Sequence, residues 1–349
     1  MNPYVTATLL LGLGLGTMIT MTSSHWLLAW MGLEMNTLAI IPLMAQPHHP
    51  RAVEATTKYF LTQATAAAML LFASTTNAWL TGQWDIQQIS HPLPITLITL
   101  ALALKLGLAP LHSWLPEVLQ GLDLVTGLIM ATWQKLAPFA LLMQLQHTYP
   151  ALLIMLGITS TLVGGWGGLN QTQLRKILAY SSIAHLGWMI LVLQFSPALT
   201  LLALITYIAM TIPMFFTFKL NKATTLNMLS NTWTKTPALT ALTPLILLSL
   251  GGLPPLTGFM PKWLIIQELT TQGLPLLAMF AALTALLSLY FYLRLSYAMT
   301  LTLSPNTIVG MAPSRVSRHN PCSSLVVMLM NTTIFLLPLT PTITALVLP

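Results

Sequence analysis

Apolar runs of about twenty residues, separated by short polar connections, make up almost the whole chain. About 20 apolar residues cross a bilayer core as a helix. Read at that length, the runs predict eleven spans, at about 3–22, 25–45, 58–80, 95–120, 124–146, 150–168, 174–194, 198–220, 238–269, 274–302 and 324–346. The widest gaps, near 221–237 and 303–323, are too short for a soluble domain. Residues 1–349 therefore read as a single, all-α, polytopic membrane domain. The first span starts almost at Met1, with no basic n-region and no small-residue cleavage site, so no cleaved leader is expected.

Composition agrees: 55% of the 349 residues are hydrophobic, 5% are charged and the mean hydropathy is +0.78. The net charge of +7 does not point to nucleic acid, because the basic residues are not clustered with aromatics. They report orientation instead. With eleven spans, Arg51, Lys58, Arg175, Lys176, Lys219, Lys222, Lys235, Arg315 and Arg318 all fall on the side of the N-terminus, and the opposite connections hold no Lys or Arg. The positive-inside rule puts that side in the cytoplasm or matrix and the C-terminus across the membrane. The single cysteine, Cys322, excludes an internal disulfide and a Cys-rich metal or iron–sulfur site. His48-His49 has no metal-ligand partners nearby, so no metal site is expected.

Against this background, Glu34, Lys105, Lys135 and Lys262 lie well inside apolar spans. A charge at mid-span costs roughly 2.5–3.5 kcal/mol on insertion scales, and such residues usually mark ion paths, proton relays or counter-ions. A lysine caught between desolvation and a nearby carboxylate can bind and release a proton at modest energy. Lys105 is too far from either surface to snorkel. Glu34, the one acid among these positions, is its expected charge partner. Lys135 reads as a relay, or as a cation on the Gln134 carbonyl that Pro138 frees. Lys262 reads as a conducting group, or as an ion-pair partner of Glu268 more than one turn away. Glu117, His112 and His185 are secondary candidates: Glu117 ends a span, and a lone histidine on an apolar face is commonly a packing residue.

Spans four and nine share a pattern. Gly107-Leu-Ala-Pro-Leu-His-Ser-Trp-Leu-Pro-Glu117 reads against Gly252-Leu-Pro-Pro-Leu-Thr-Gly-Phe-Met-Pro-Lys262, identical at five of eleven positions. Proline lacks an N–H and clashes with the carbonyl four residues back. Pro110 and Pro116 should free the carbonyls of Leu106 and His112, and Pro255 and Pro261 those of Gly251 and Thr257. Two broken helices are therefore expected; simple kinks are the plainer alternative. The breaks lie five spans apart, so two inverted five-helix repeats are expected, roughly 1–147 and 150–303, with a C-terminal helix at 324–346. In that scheme Glu34 corresponds to His185 and Lys135 to Arg294. Gly12 and Gly16 have close-packing spacing, the glycines at 164–168 are expected to loosen the end of span six, and Tyr290, Phe291, Tyr292 and Tyr297 read as helix-face and interface aromatics.

Trp30-Met-Gly-Leu-Glu34-Met-Asn36, Lys105-Leu-Gly-Leu-Ala-Pro-Leu-His-Ser-Trp-Leu-Pro-Glu117, Ser181-Ser-Ile-Ala-His185-Leu-Gly-Trp188 and Gly251-Gly-Leu-Pro-Pro255 through Lys262-Trp263 resemble the chain 2 family of NADH–ubiquinone oxidoreductase, respiratory complex I, in its animal mitochondrial form. That family is similar to subunits of multi-subunit cation/proton antiporters. The resemblance implies a proton-translocating core subunit of an NADH:ubiquinone reductase in the mitochondrial inner membrane, N-terminus in the matrix and C-terminus in the intermembrane space. It implies a proton route through Glu34, Lys105, Lys135 and Lys262, driven by electron transfer in other chains. FMN, iron–sulfur clusters and ubiquinone would belong to those chains, leaving no cofactor here. Neighbouring antiporter-like subunits, and lipids such as cardiolipin, would be partners. From the residues alone, a stand-alone antiporter and a purely structural spacer remain open.

Overall fold

The computed structural model describes residues 2–46, 48–89, 91–145, 150–234, 237–301, 321–339, 342 and 345. Lys235, Arg315, Arg318 and much of the last expected span's C-terminal half lie outside them, and the side chain of Cys322 is not described either. The described residues contain helices and no strands. Among the described residues, seven helical stretches of 18 residues or more, with Leu124–Gln144 counted as one, are long and apolar enough to cross a membrane, and the chain is a multi-pass membrane protein.

The chain forms two compact units, Met1–Leu156 and Gly157–Pro349. The first holds α1 (Pro3–Thr22), α2 (Trp26–Ala45), α3 (Pro50–Thr81), α4 (Pro92–Leu106), α5 (Trp114–Gly121), α6 (Leu124–Ala131) and α7 (Trp133–Gln144). Helix α8 (Pro150–Gly168) begins in the first unit and ends in the second. The second unit continues with α9 (Leu174–Leu193), α10 (Pro197–Asn221), α11 (Leu226–Ser230), α12 (Pro237–Gly251), α13 (Phe259–Thr271), α14 (Pro275–Thr300) and α15 (Pro321–Phe335). Proline opens α1, α3, α4, α10 and α14, where its missing N–H would have had no helical partner. Asn2, His25 and His49 cap α1, α2 and α3 by accepting a backbone N–H, which gives His49 a structural role.

Spans four and nine are interrupted in the same way. Helix α4 ends at Gly107 (φ +76°) and α12 at Gly252 (φ +81°). In each, the glycine N–H returns to the carbonyl three residues back and the next N–H to the one five back: Gly107 to Leu104 and Leu108 to Ala103, Gly252 to Ser249 and Leu253 to Leu248. This is a Schellman ending, which needs a left-handed residue and so favours glycine. Helix resumes seven residues on, at Trp114 and Phe259. The prolines thus act after the helix has stopped: the expected breaks are present, and glycine makes them. A further local match lies outside the motif. The α1–α2 turn bridges the α3–α4 connection at His25 and Asp85, as the α8–α9 turn bridges the α10–α11 connection at Gln173 and Thr225.

Two other expectations change. Helix α8 stays regular through Gly168, and its glycines admit close neighbours instead of loosening it: a Cβ at Gly164 would lie 2.6 Å from the Ala184 backbone, and one at Gly168 2.7 Å from the Phe291 ring. On α14, Tyr290 and Tyr297 are exposed, but Phe291 and Tyr292 are buried core residues with ring centres 4.4 Å apart. A helix of 26 residues turns both faces through its surroundings, so neighbouring aromatics part company.

Candidate functional site

In the first unit, Lys105 occupies the last turn of α4 and is buried at 7% exposure. Its cation therefore lies at the negative end of the α4 dipole. The adjoining break is braced by Trp114, whose indole N–H donates to the Leu104 carbonyl at 3.0 Å. Nζ of Lys105 has no hydrogen-bond partner among the described residues. Lys135 lies in the first turn of α7 and is 3% exposed. Just before it the helical path is distorted at Thr132 (φ −116°, ψ −70°), and Pro138 sits inside the same helix.

Both lysines line one small cavity, of about 20 Å³ as measured by the centre of a water-sized sphere. Asn36, Tyr59, Gln63 and Gln134 contribute to its wall. These four come from α2, α3 and α7 and are polar residues that sequence reasoning did not single out. Their only signal is a polar side chain in an apolar span.

Glu34 is half-buried on α2, and its carboxylate accepts from Thr37 Oγ1 at 3.2 Å. It makes no ion pair with Lys105 within 4 Å among the described residues. It remains close enough to interact electrostatically with both Lys105 and Tyr59. Glu117 lies elsewhere, exposed on α5, bonded at 2.7 Å to Lys58, which also meets Glu54 at 2.8 Å. At 1.5 Å per residue the 32-residue α3 is about 48 Å long, more than a span needs, and Glu54 lies in its second turn, ahead of the expected span at 58–80. There the Lys58 ammonium, by hydrogen bond and then by charge, holds the Glu54 carboxyl below its ordinary range. His112 is half-buried in the break, with Nδ1 3.3 Å from the Pro110 carbonyl.

In the second unit, Lys262 lies near the start of α13, 9% exposed, and donates from Nζ to the Gly251 carbonyl at 2.8 Å. That carbonyl ends α12 and is the one the prolines were expected to free, so the cation again sits at the negative end of a half-helix. Glu268 is not its partner; its Oε1 accepts from Gln272 at 3.0 Å. His185 packs against Tyr207, ring centres 5.4 Å apart. Arg294, the expected counterpart of Lys135, donates to the Leu169 carbonyl at 2.7 Å and closes the end of α8. Among the described residues no group of three or more His, Cys, Asp or Glu is placed to hold a metal.

A family described as NADH:quinone oxidoreductase/Mrp antiporter, transmembrane, matches residues 23–288, and one described as NADH dehydrogenase subunit 2 C-terminus matches residues 289–344. The chain is 73% identical over 341 residues to NADH-ubiquinone oxidoreductase chain 2 of Tetraodon nigroviridis, covering 98% of each. It is 68% identical over 350 residues to the protein of that name from Salmo salar, covering 99% of each. Among solved structures it is similar to a chain of respiratory complex I from Thermus thermophilus, with a TM-score of 0.82 and 30% identity over 97% of this chain and 80% of that one. A chain of an Mrp complex from a Dietzia species shares the fold at a TM-score of 0.79 and 18% identity, covering 89% of this chain and 64% of the other.

Proposed function

Because the chain belongs to the NADH:quinone oxidoreductase/Mrp antiporter transmembrane family, and within it to the chain 2 branch, we propose that it is a proton-translocating membrane subunit of an NADH:ubiquinone oxidoreductase. The observation that carries this reading is the pair of buried lysines on one polar cavity beside a broken helix. A spacer would have no use for buried ammonium groups, which are costly in an apolar interior.

In this reading Lys105 and Lys135 are the proton carriers of the first unit and Lys262 that of the second. Glu34 acts on Lys105 through its field: a shift of charge near Glu34 changes how tightly Lys105 holds its proton, and releases it toward Lys135. The half-helix ends support Lys105 and Lys262 as cations through oriented carbonyls, which need no reorganisation when the proton leaves. His112 and His185 are secondary carriers, and Glu117 belongs with the surface ion pairs. Two inverted repeats are taken to run over roughly 1–147 and 150–303. Electron transfer, with its FMN, iron–sulfur clusters and ubiquinone, belongs to other subunits, and further antiporter-like membrane chains are partners.

The membrane is the mitochondrial inner membrane, with the N-terminus and the basic connections on the matrix side, where Arg51, Arg175, Lys176 and Lys222 suit anionic headgroups such as cardiolipin. The test is Lys105→Met in the intact complex, with protons pumped per NADH oxidised as the readout. The ratio is expected to fall. An undiminished ratio in fully assembled complex would overturn the reading.

A further inference from the structure

Asn36 is 2% exposed on α2, and both Oδ1 and Nδ2 of its carboxamide lack a hydrogen-bond partner among the described residues. Leaving a buried polar group unpaired costs about 1–3 kcal/mol, and more if it is charged. Lys105 Nζ is in the same condition, and Asn36, Lys105 and Lys135 line the same cavity. Buried polar atoms in native proteins are paired by protein or by ordered water. A cavity needs roughly 10–15 Å³ by the same measure, and two to four polar partners, to hold a water; this one has about 20 Å³.

The backbone that carries Asn36 is tied to α7. The Asn36 carbonyl accepts from Gln134 Nε2 at 3.4 Å, which ties α2 to the turn of α7 that carries Lys135. A Cβ on Gly16 would come within 2.6 Å of Asn36 Oδ1, so the glycine keeps room for the carboxamide. Packing alone would be served by leucine, which has the same branching and no polar atoms to strand.

We infer that the cavity is a binding site for a water molecule held between the Lys105 ammonium and the Asn36 carboxamide, and that Asn36 is thereby a positioning residue for proton transfer from Lys105 to Lys135. The water accepts from Nζ–H of Lys105 and from Nδ2–H of Asn36, which turns its own hydrogens toward Lys135. On transfer, an N–H bond of Lys105 breaks as an O–H bond forms on the water. An O–H bond on its far side breaks as an N–H bond forms on neutral Lys135. One proton moves, the water is restored, and no oxidant or reductant takes part. The carboxamide does not titrate near neutrality, so it orients the water without trapping the proton.

This inference rests on Lys105 being a proton carrier, and the test separates the two. Asn36→Leu and Asn36→Ser are made in the intact complex beside Lys105→Met, with assembled complex, protons per NADH and the solvent deuterium effect on pumping measured for each. Asn36→Leu is expected to slow proton transfer roughly 10-fold, the factor that loss of one orienting hydrogen bond gives. Asn36→Ser, whose hydroxyl can still hold the water, should recover most of the pumping. Full pumping in Asn36→Leu with a deuterium effect like that of the unmodified complex overturns the inference, and leaves the proposed function standing if Lys105→Met still fails. Equal losses in the Leu and Ser variants also overturn it, since shape would then be the cause. If Asn36→Leu does not assemble, a water-resolving map of the unmodified complex decides. Density within hydrogen-bond distance of both Lys105 Nζ and the Asn36 carboxamide supports the site, and its absence rejects it.

Discussion

Replacing Gly252 by alanine should disable Lys262 without touching a charged residue. Gly252 has φ +81°, in the left-handed region that costs other residues roughly 1–2 kcal/mol. A Cβ there would stand 2.8 Å from Cδ, 3.1 Å from Cε and 3.0 Å from Nζ of Lys262. A free lysine would swing away cheaply, but this one is tied to the Gly251 carbonyl at 2.8 Å. The added methyl and that bond compete for the same side chain. A hydrogen bond to a charged group is worth about 1.5–3 kcal/mol, so with the backbone strain the penalty is about 2.5–5 kcal/mol. Losing the bond alone shifts the bonded population of Lys262 by roughly 10- to 100-fold, at about 1.4 kcal/mol per factor of ten. The neighbouring Gly251→Ala is the control: its Cβ would meet nothing nearer than 3.7 Å, and it ends a helix that alanine favours. The assay is complex content on native gels, thermal midpoint, and protons pumped per NADH. Gly252→Ala is expected to lower the midpoint and the pumping ratio, and Gly251→Ala to leave both unchanged. If the two behave alike in assembled complex, the coupling drawn here between the break and Lys262 is wrong.

Gly16→Ala would press a methyl to 2.6 Å from Asn36 Oδ1 and 2.8 Å from the Gly32 carbonyl, an overpacking worth typically 1–3 kcal/mol. Gly12→Ala meets only the Ala39 Cβ at 3.4 Å, so thermal melts of the two variants should differ clearly, and equal midpoints would contradict the α1–α2 packing. Arg294→Leu removes the donor to the Leu169 carbonyl and should destabilise by about 1.5–3 kcal/mol while leaving protons per NADH unchanged in the surviving complex. A selective loss of pumping with normal stability would contradict this structural role for Arg294.

Much of this was visible residue by residue, because it depends on short-range chemistry. Apolar run length set the spans. The paired Gly-Leu…Pro-Leu motifs marked both breaks, although the residue that stops each helix is the glycine at positive φ and the proline follows it. The four central charges stood out because burying an ion in an apolar span is costly wherever the span packs.

What only the tertiary structure decided is which polar atoms meet. Asn36, Tyr59, Gln63, Lys105, Gln134 and Lys135 come from four separate helices and share one cavity, a convergence no local pattern encodes. The same holds for contacts that spacing along the chain left open. Glu117 is drawn to Lys58, 59 positions away in the chain, Lys262 bonds a backbone carbonyl instead of Glu268, and Tyr292 turns inward while Tyr290 stays out. Chain spacing fixes which face of a helix a residue occupies. Whether that face finds lipid, a carbonyl or another charge depends on how the helices pack, and the low-dielectric interior makes each of those outcomes differ by several kcal/mol.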